Sequence, residues 1–309
     1  MRLISTRTQT GETLGVVDGD RWLPAADLVD EGPKTIADLL AGGRAAVSAL
    51  QTGAASGRIA REGASTGGLE LRAPVPRPAK IVAIGRNYRE HVEEEQADAP
   101  PAPLMFAKWP SAIVGDGAEI QWDPTLSEQV DWEAELAVVI GSTARNVAVD
   151  DALQHVLGYT CLNDVSARDL QFGDGQWTRG KSLDTFCPMG PAIVTAEEIP
   201  DPQRLAIRCL VDGEVVQEST TERMFFGVAE IISFCSRSFT LEPGDVIATG
   251  TPGGVGVFRE PPRFLGDGSV VTVEIEGIGR LTNTCRHVAA SATRSADASA
   301  GLAGIGASR

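Results

Sequence analysis

The densest chemistry in this chain of 309 residues lies in its carboxylates. Asp131-Trp132-Glu133-Ala134-Glu135 opens an unbroken apolar run over 136–141. In a strand, side chains at i and i+2 share a face, so Glu133 and Glu135 point the same way and Asp131 has the same spacing. The run leads into a core, where two like charges repel and lose solvation. Arg, Lys, a shared proton or a cation must neutralise them. Read alone, the segment also fits a strand end whose acids stand in water. Residues 159–164 form a second apolar strand that ends in an acid, Asp164. Carboxylates at neighbouring strand ends make an all-oxygen site, which suits Mg²⁺ or Mn²⁺, with Ca²⁺ an option, better than zinc or copper. Arg168 and Asp169, just beyond, read as a simple ion pair.

His91 and Glu94 stand at i and i+3, on one side of a helical turn. A carboxylate beside an imidazole orients the ring and raises its basicity, as a water-activating base requires. The run Glu93-Glu94-Glu95 also fits a solvated acidic turn. His155 and His287 read as structural. Lys181 lies among turn residues, where a lysine near a cation would serve a substrate carboxylate or an enolate. Thr249-Gly250-Thr251-Pro252-Gly253-Gly254 is glycine-rich but lacks the Gly-Lys-Ser/Thr ending and the helix of a phosphate loop. It reads instead as a tight loop that brings backbone and the Thr251 hydroxyl close to a ligand.

The elements that must position these groups are mostly strands. Residues 2–7 and 13–17 read as short strands, with Asp18-Gly19-Asp20 as a hairpin turn before Arg21-Trp22-Leu23, and Thr35 caps a helix to about Gln51 with Asp38 at its third position. Residues 52–68 read as a connection, and the proline-rich 73–78 marks a boundary near 76. Beyond it, 81–85, 104–109, 135–141, 157–163, 192–195, 205–211, 246–249 and 270–276 read as strands. Helices are expected only over 149–155 and 228–236. This is a mainly β, α+β pattern, and it disfavours a doubly wound α/β fold. The expected organisation is a small N-terminal α/β appendage over 1–75, a catalytic domain over 76–288, and a disordered tail over 289–309.

Composition narrows the function classes. With 27 basic and 42 acidic residues the net charge is −15, which repels nucleic acid and anionic membranes. No apolar stretch approaches the ~20 residues of a membrane span. The first residues carry no apolar signal region, and the five cysteines are widely spaced without a CxxC, which fits reduced thiols in a cytoplasm.

Five segments in order resemble the fumarylacetoacetate hydrolase family. They are 85–94 (G-x-N-Y-x-x-H-x-x-E), Glu133-x-Glu135, 163–171 (N-D-V-S-A-R-D-x-Q), 177–186 (W-T-R-G-K-S-x-D-T-F) and 241–250 (L-E-P-G-D-V-I-x-T-G). The resemblance implies a β-roll of mixed sheets, a homodimer, and Mg²⁺ or Mn²⁺ on Glu133, Glu135 and Asp164. It implies that His91 and Glu94 lie on a lid over a small 2-oxo-acid substrate, with Gln171, Lys181 and Thr251 around its oxygen atoms. It also implies chelation of the 2-oxo acid and a common enolate. The expected activity is hydrolysis of a C–C bond in a 2,4-dioxo acid of acylpyruvate or fumarylpyruvate type. The alternative is oxaloacetate-type decarboxylation or hydroxymuconate-type isomerisation at the same site. A phosphohydrolase would need a basic phosphate clamp, which the sequence does not offer. A scaffold protein would need no base.

Overall fold

The computed structural model describes residues 1–8 and 11–289. The expected disordered tail lies, apart from Ala289, outside the described residues.

Alternation and turn chemistry produce fourteen strands of three or more residues among the described residues. They are β1 (Arg2–Thr8), β2 (Gly11–Asp18), β3 (Arg21–Pro24), β4 (Ile81–Gly85), β5 (Leu104–Lys108), β6 (Glu119–Trp122) and β7 (Ala134–Ile140). They continue with β8 (Val156–Asn163), β9 (Cys187–Thr195), β10 (Ala206–Val211), β11 (Glu214–Thr220), β12 (Val246–Ala248), β13 (Val270–Ile275) and β14 (Gly279–His287). Four helices matter here: α1 (Ile36–Ala55), α2 (Arg89–Glu94), α3 (Arg168–Asp174) and α4 (Val228–Ser238).

A large mixed sheet runs β3-β2-β1-β9-β8-β7-β12-β4-β5, with Ala64–Ser65 beyond β3. After β5 the chain turns through Pro110–Ala112, and Ile113–Val114 adds in parallel to β9. The sheet between β9 and β5 therefore closes on itself as a roll. A second sheet, β11-β10-β13-β14-β6, packs on its outer face. Strand β7 shows why its sequence is continuously apolar: Leu136, Val138 and Ile140 join the core shared with the second sheet, and Ala137 and Val139 join the opposite core. A strand buried on both faces has no polar side to display.

The N-terminal segment contributes Leu3, Leu14, Leu39 and Leu50 to that opposite core, and β1 hydrogen-bonds to β9. Helix α1 begins with the expected capping box: Asp38 donates its backbone N–H to the Thr35 hydroxyl at 3.2 Å, and the Asp38 carboxylate accepts the Thr35 N–H at 2.9 Å. Thr35→Ala is expected to cost about 1 kcal/mol, read as a lower urea midpoint at constant slope.

Three expectations change. Residues 52–68 are partly helical, because α1 continues to Ala55 and Arg58–Glu62 forms another turn with Ile59 buried. Strand β9 begins at Cys187 rather than 192, since Pro188 and Pro191 sit within it. Strands β6, β11 and β14 went unread, their polar residues masking the period.

Candidate metal centre and its catalytic surroundings

The antiparallel register of β7 and β8 places Ala134 opposite Asn163. Glu133, just before β7, and Asp164, just after β8, are therefore neighbours, tied by the Asp164 N–H to the Glu133 carbonyl at 2.9 Å. Glu135 points to the same side. One carboxylate oxygen from each of Glu133, Glu135 and Asp164 lies within 4.8 Å of the others, and all three residues are buried. The strand-end reading with solvated acids is thereby replaced.

Cations surround this cluster unevenly. The Lys181 ammonium donates to Glu133 at 2.8 Å, to Asp164 at 2.9 Å and to the Ser166 hydroxyl at 2.8 Å. Lys108, buried at the end of β5, donates to the other Asp164 oxygen at 2.5 Å and to the Lys181 carbonyl. Closure of the roll is what brings β5 against the end of β8. Arg168 pairs with Asp131 at 2.6 Å and with Glu133 at 2.7 Å, and donates to Gln171 at 3.0 Å. Asp131 thus lies behind Arg168 rather than in the cluster. Asp169 does not pair with Arg168, because consecutive residues of a helix face apart. It accepts the Ser127 hydroxyl at 2.7 Å instead.

Three cations thus face four buried acids. Among the described residues Glu135 is left with one hydrogen bond, from the Gly250 N–H at 2.8 Å. Gly250 has φ +100°, and a Cβ there would meet Asn87 Cβ at 2.7 Å, so the approach needs glycine. Burial, reinforced by the Asp164 and Glu133 charges, pushes the Glu135 carboxyl well above its ordinary range. Burial also acts on Glu133, but Lys181, Arg168 and His91 outweigh it and hold that carboxyl at about 2. For Lys181, burial favours the neutral amine, and Asp164 with Glu133 more than reverses this. A buried acid with no ion pair of its own among the described residues, in an all-oxygen donor set, fits a hard divalent ion.

The His91–Glu94 pair is formed on α2, with Nδ1 and a carboxylate oxygen 2.7 Å apart. The other Glu94 oxygen accepts the Gly254 N–H at 2.7 Å, so the glycine-rich loop fixes the orienting acid. The Thr251 hydroxyl accepts from Gln217 at 2.8 Å. His91, Glu133, Gln171, Lys181 and Thr251 line one cavity, walled by Phe106, Phe172, Trp177 and Phe258. Trp177 lies on the backbone of Gly85, where a Cβ would meet its ring at 2.3 Å. The cavity encloses about 20 Å³, room for roughly one water. A four-carbon acid therefore enters only with a displacement of α2 or of the aromatic wall. A cleft of about 1420 Å³ beside α1 contains none of these residues.

The other two histidines are elsewhere. His155 lies near Ser142, with Nδ1 and Oγ 3.1 Å apart, and His287 packs edge-on against Trp122. Sequence reasoning missed Lys108 and the roles of Arg168. Lys108 did carry a signal: it is one of four lysines, and it ends an otherwise apolar strand.

Residues 80–286 match the family model described as fumarylacetoacetate (FAA) hydrolase C-terminal. The chain is 48% identical over 238 residues to the mitochondrial oxaloacetate tautomerase of Xenopus laevis, covering 76% of this chain and 74% of that protein. A fumarylacetoacetate hydrolase from the psychrophilic Exiguobacterium antarcticum has a TM-score of 0.81 at 36% identity, with 93% of this chain and 100% of that one covered. A 5-carboxymethyl-2-hydroxymuconate delta-isomerase from Mycobacterium smegmatis has a TM-score of 0.73 at 34% identity, with the same coverage. The expected cytoplasmic location is corrected by the oxaloacetate tautomerases among the relatives, which are named as mitochondrial. The matched residues, the relatives and the fold agree, and the chain belongs to the fumarylacetoacetate hydrolase family of enzymes.

Proposed function

We propose that the chain is a 2-oxo-acid tautomerase or isomerase acting on an oxaloacetate-type substrate. The observation that carries this reading is the buried His91, paired with Glu94 and lining the same small cavity as Glu133 of the acid cluster and Lys181. A divalent cation held by Glu133, Glu135 and Asp164 would supply Lewis-acid polarisation of the 2-oxo group. His91 takes a proton from C3, and a proton is returned at the 2-oxo oxygen, so the enol forms without net loss. Glu94 holds the ring's orientation and balances the imidazolium charge. The Lys181 ammonium, kept charged by its acids, offsets negative charge developing on oxygen. Gln171 and Thr251 are placed to orient the substrate's oxygen atoms.

Hydrolysis of an acylpyruvate would use the same base, but it needs a water molecule beside the substrate. The names of the tautomerase and isomerase relatives support the proton transfer. The test uses the Mn²⁺-loaded protein with three assays: the ultraviolet absorbance of enol-oxaloacetate, release of CO₂, and cleavage of an acylpyruvate. Accelerated enol–keto exchange is expected to exceed the other two rates. Cleavage of the acylpyruvate alone would replace this reading with the hydrolase one.

A further inference from the structure

The cavity wall carries a further charged pair. Arg86 and Glu95 line it along with Glu133, Arg168 and Lys181. Arg86 follows β4 in a left-handed backbone conformation, φ 55°, which is uncommon for a residue with a Cβ. Asn87 fixes that turn by donating to the Phe226 and Thr249 carbonyls at 3.0 and 2.8 Å. The Arg86 guanidinium lies over Trp177, 5.9 Å from the ring centroid. Its Nε and Nη2 donate to the two Glu95 oxygens at 2.8 and 2.5 Å, and Glu95 closes α2.

Arg168 and Lys181 are committed to the acid cluster. Arg86 is not: its carboxylate partner sits on α2, and its Nη1 has no hydrogen bond among the described residues. We propose that Arg86 recognises a second carboxylate on the substrate, at the end distant from the 2-oxo acid group, and so selects dicarboxylates. This rests on the 2-oxo-acid reading above and deepens it. A guanidinium held on one edge by Glu95 and stacked on Trp177 is already oriented, so little side-chain entropy is lost when a carboxylate binds its free edge. Glu95 also links this recognition to α2, four residues from His91.

The test separates binding from turnover by using two 2-hydroxy acids that cannot enolise. Malate carries the distal carboxylate and 2-hydroxybutyrate has a methyl group there. Calorimetry with the Mn²⁺-loaded protein is expected to show tighter binding of malate. Arg86→Gln should weaken malate by about 10–100-fold, the worth of a charged hydrogen-bond pair, and leave 2-hydroxybutyrate within about twofold. Arg86→Lys should recover part of the loss. Absence of a malate preference in the unmodified protein, or equal losses on both ligands in Arg86→Gln, would overturn the proposal. If malate is selected through Arg86 yet oxaloacetate is not turned over, the carboxylate site stands and the tautomerase reading falls.

Discussion

Asp164→Asn is expected to destabilise the cation-free protein by about 3–5 kcal/mol, whereas Glu135→Gln stabilises it. The two acids are neighbours in the same cluster, yet they stand in opposite electrostatic positions. Asp164 holds Lys108 on one oxygen and Lys181 on the other. Neutralising it leaves two buried ammonium groups short of a counter-charge. Glu135 has no ion pair among the described residues, and burial with the Asp164 and Glu133 charges pushes it up against a weaker pull from Lys181.

The pH dependence follows from the signs. Glu135 has a folded value above the ordinary ~4.3 of a glutamate, so its ionisation is resisted in the fold. Stability is intact below that ordinary value and is lost as pH rises through the folded one. Glu133, held at about 2, behaves oppositely: its contribution is present above ~4.3 and lost as pH falls toward 2. Thermal melts in chelator from pH 5 to 8 should therefore show a decline with pH that Glu135→Gln flattens. Each neutralised acid should also weaken Mn²⁺ binding by calorimetry. Lower stability in Glu135→Gln, or unchanged Mn²⁺ affinity in both variants and in Glu133→Gln, would show that the cluster is a structural ion-pair network.

His91→Ala should lower oxaloacetate enolisation by about 10²–10⁴-fold, the usual contribution of a positioned general base, while Mn²⁺ affinity stays near that of the unmodified protein. Glu94→Gln should give a smaller loss, because the amide can still hold the ring but no longer balances its charge. Oxaloacetate decarboxylation measured on the same preparations supplies the internal control, since it needs a polarised 2-oxo group and no base at C3. Equal losses in both reactions would mean that His91 shapes the closed position of α2. No loss in either would leave the chemistry to the acid cluster and Lys181.

The acid cluster was legible because it obeys local rules. Period-two spacing put Glu133 and Glu135 on one face, and an apolar strand ending in Asp164 placed a third acid at a sheet end. The His91–Glu94 pair was legible for the same kind of reason, three residues on a helical turn. Lys108 was not, because its partner Asp164 is reached only through the closure of the roll, which no local period records. Arg168 was misassigned to Asp169 because adjacency in sequence was taken for adjacency in space. The Arg86–Glu95 pair escaped notice since nothing in Glu93-Glu94-Glu95 distinguishes which acid turns inward. In the fold, strand β9 was cut short by its prolines and α1 ended too early at its Gly-Ala text, both cases in which tertiary packing overrides propensity.

The seam between Ile113–Val114 and β9 also sets an order of assembly. Lys108, Glu133, Asp164, Lys181 and Thr251 come from strands and loops whose pairings span much of the chain: Val246 pairs with Ile81, and Arg2 with Val194. Such a high contact order makes the search for the native topology slow, on the millisecond-to-second scale or beyond. Glu133, Glu135 and Asp164 come together as soon as β7 pairs with β8, whereas Lys108 joins them only once the roll has closed. A hard cation bound before closure would thus hold acids that still lack one of their ammonium partners. Mn²⁺ should then raise the refolding rate as well as slow unfolding.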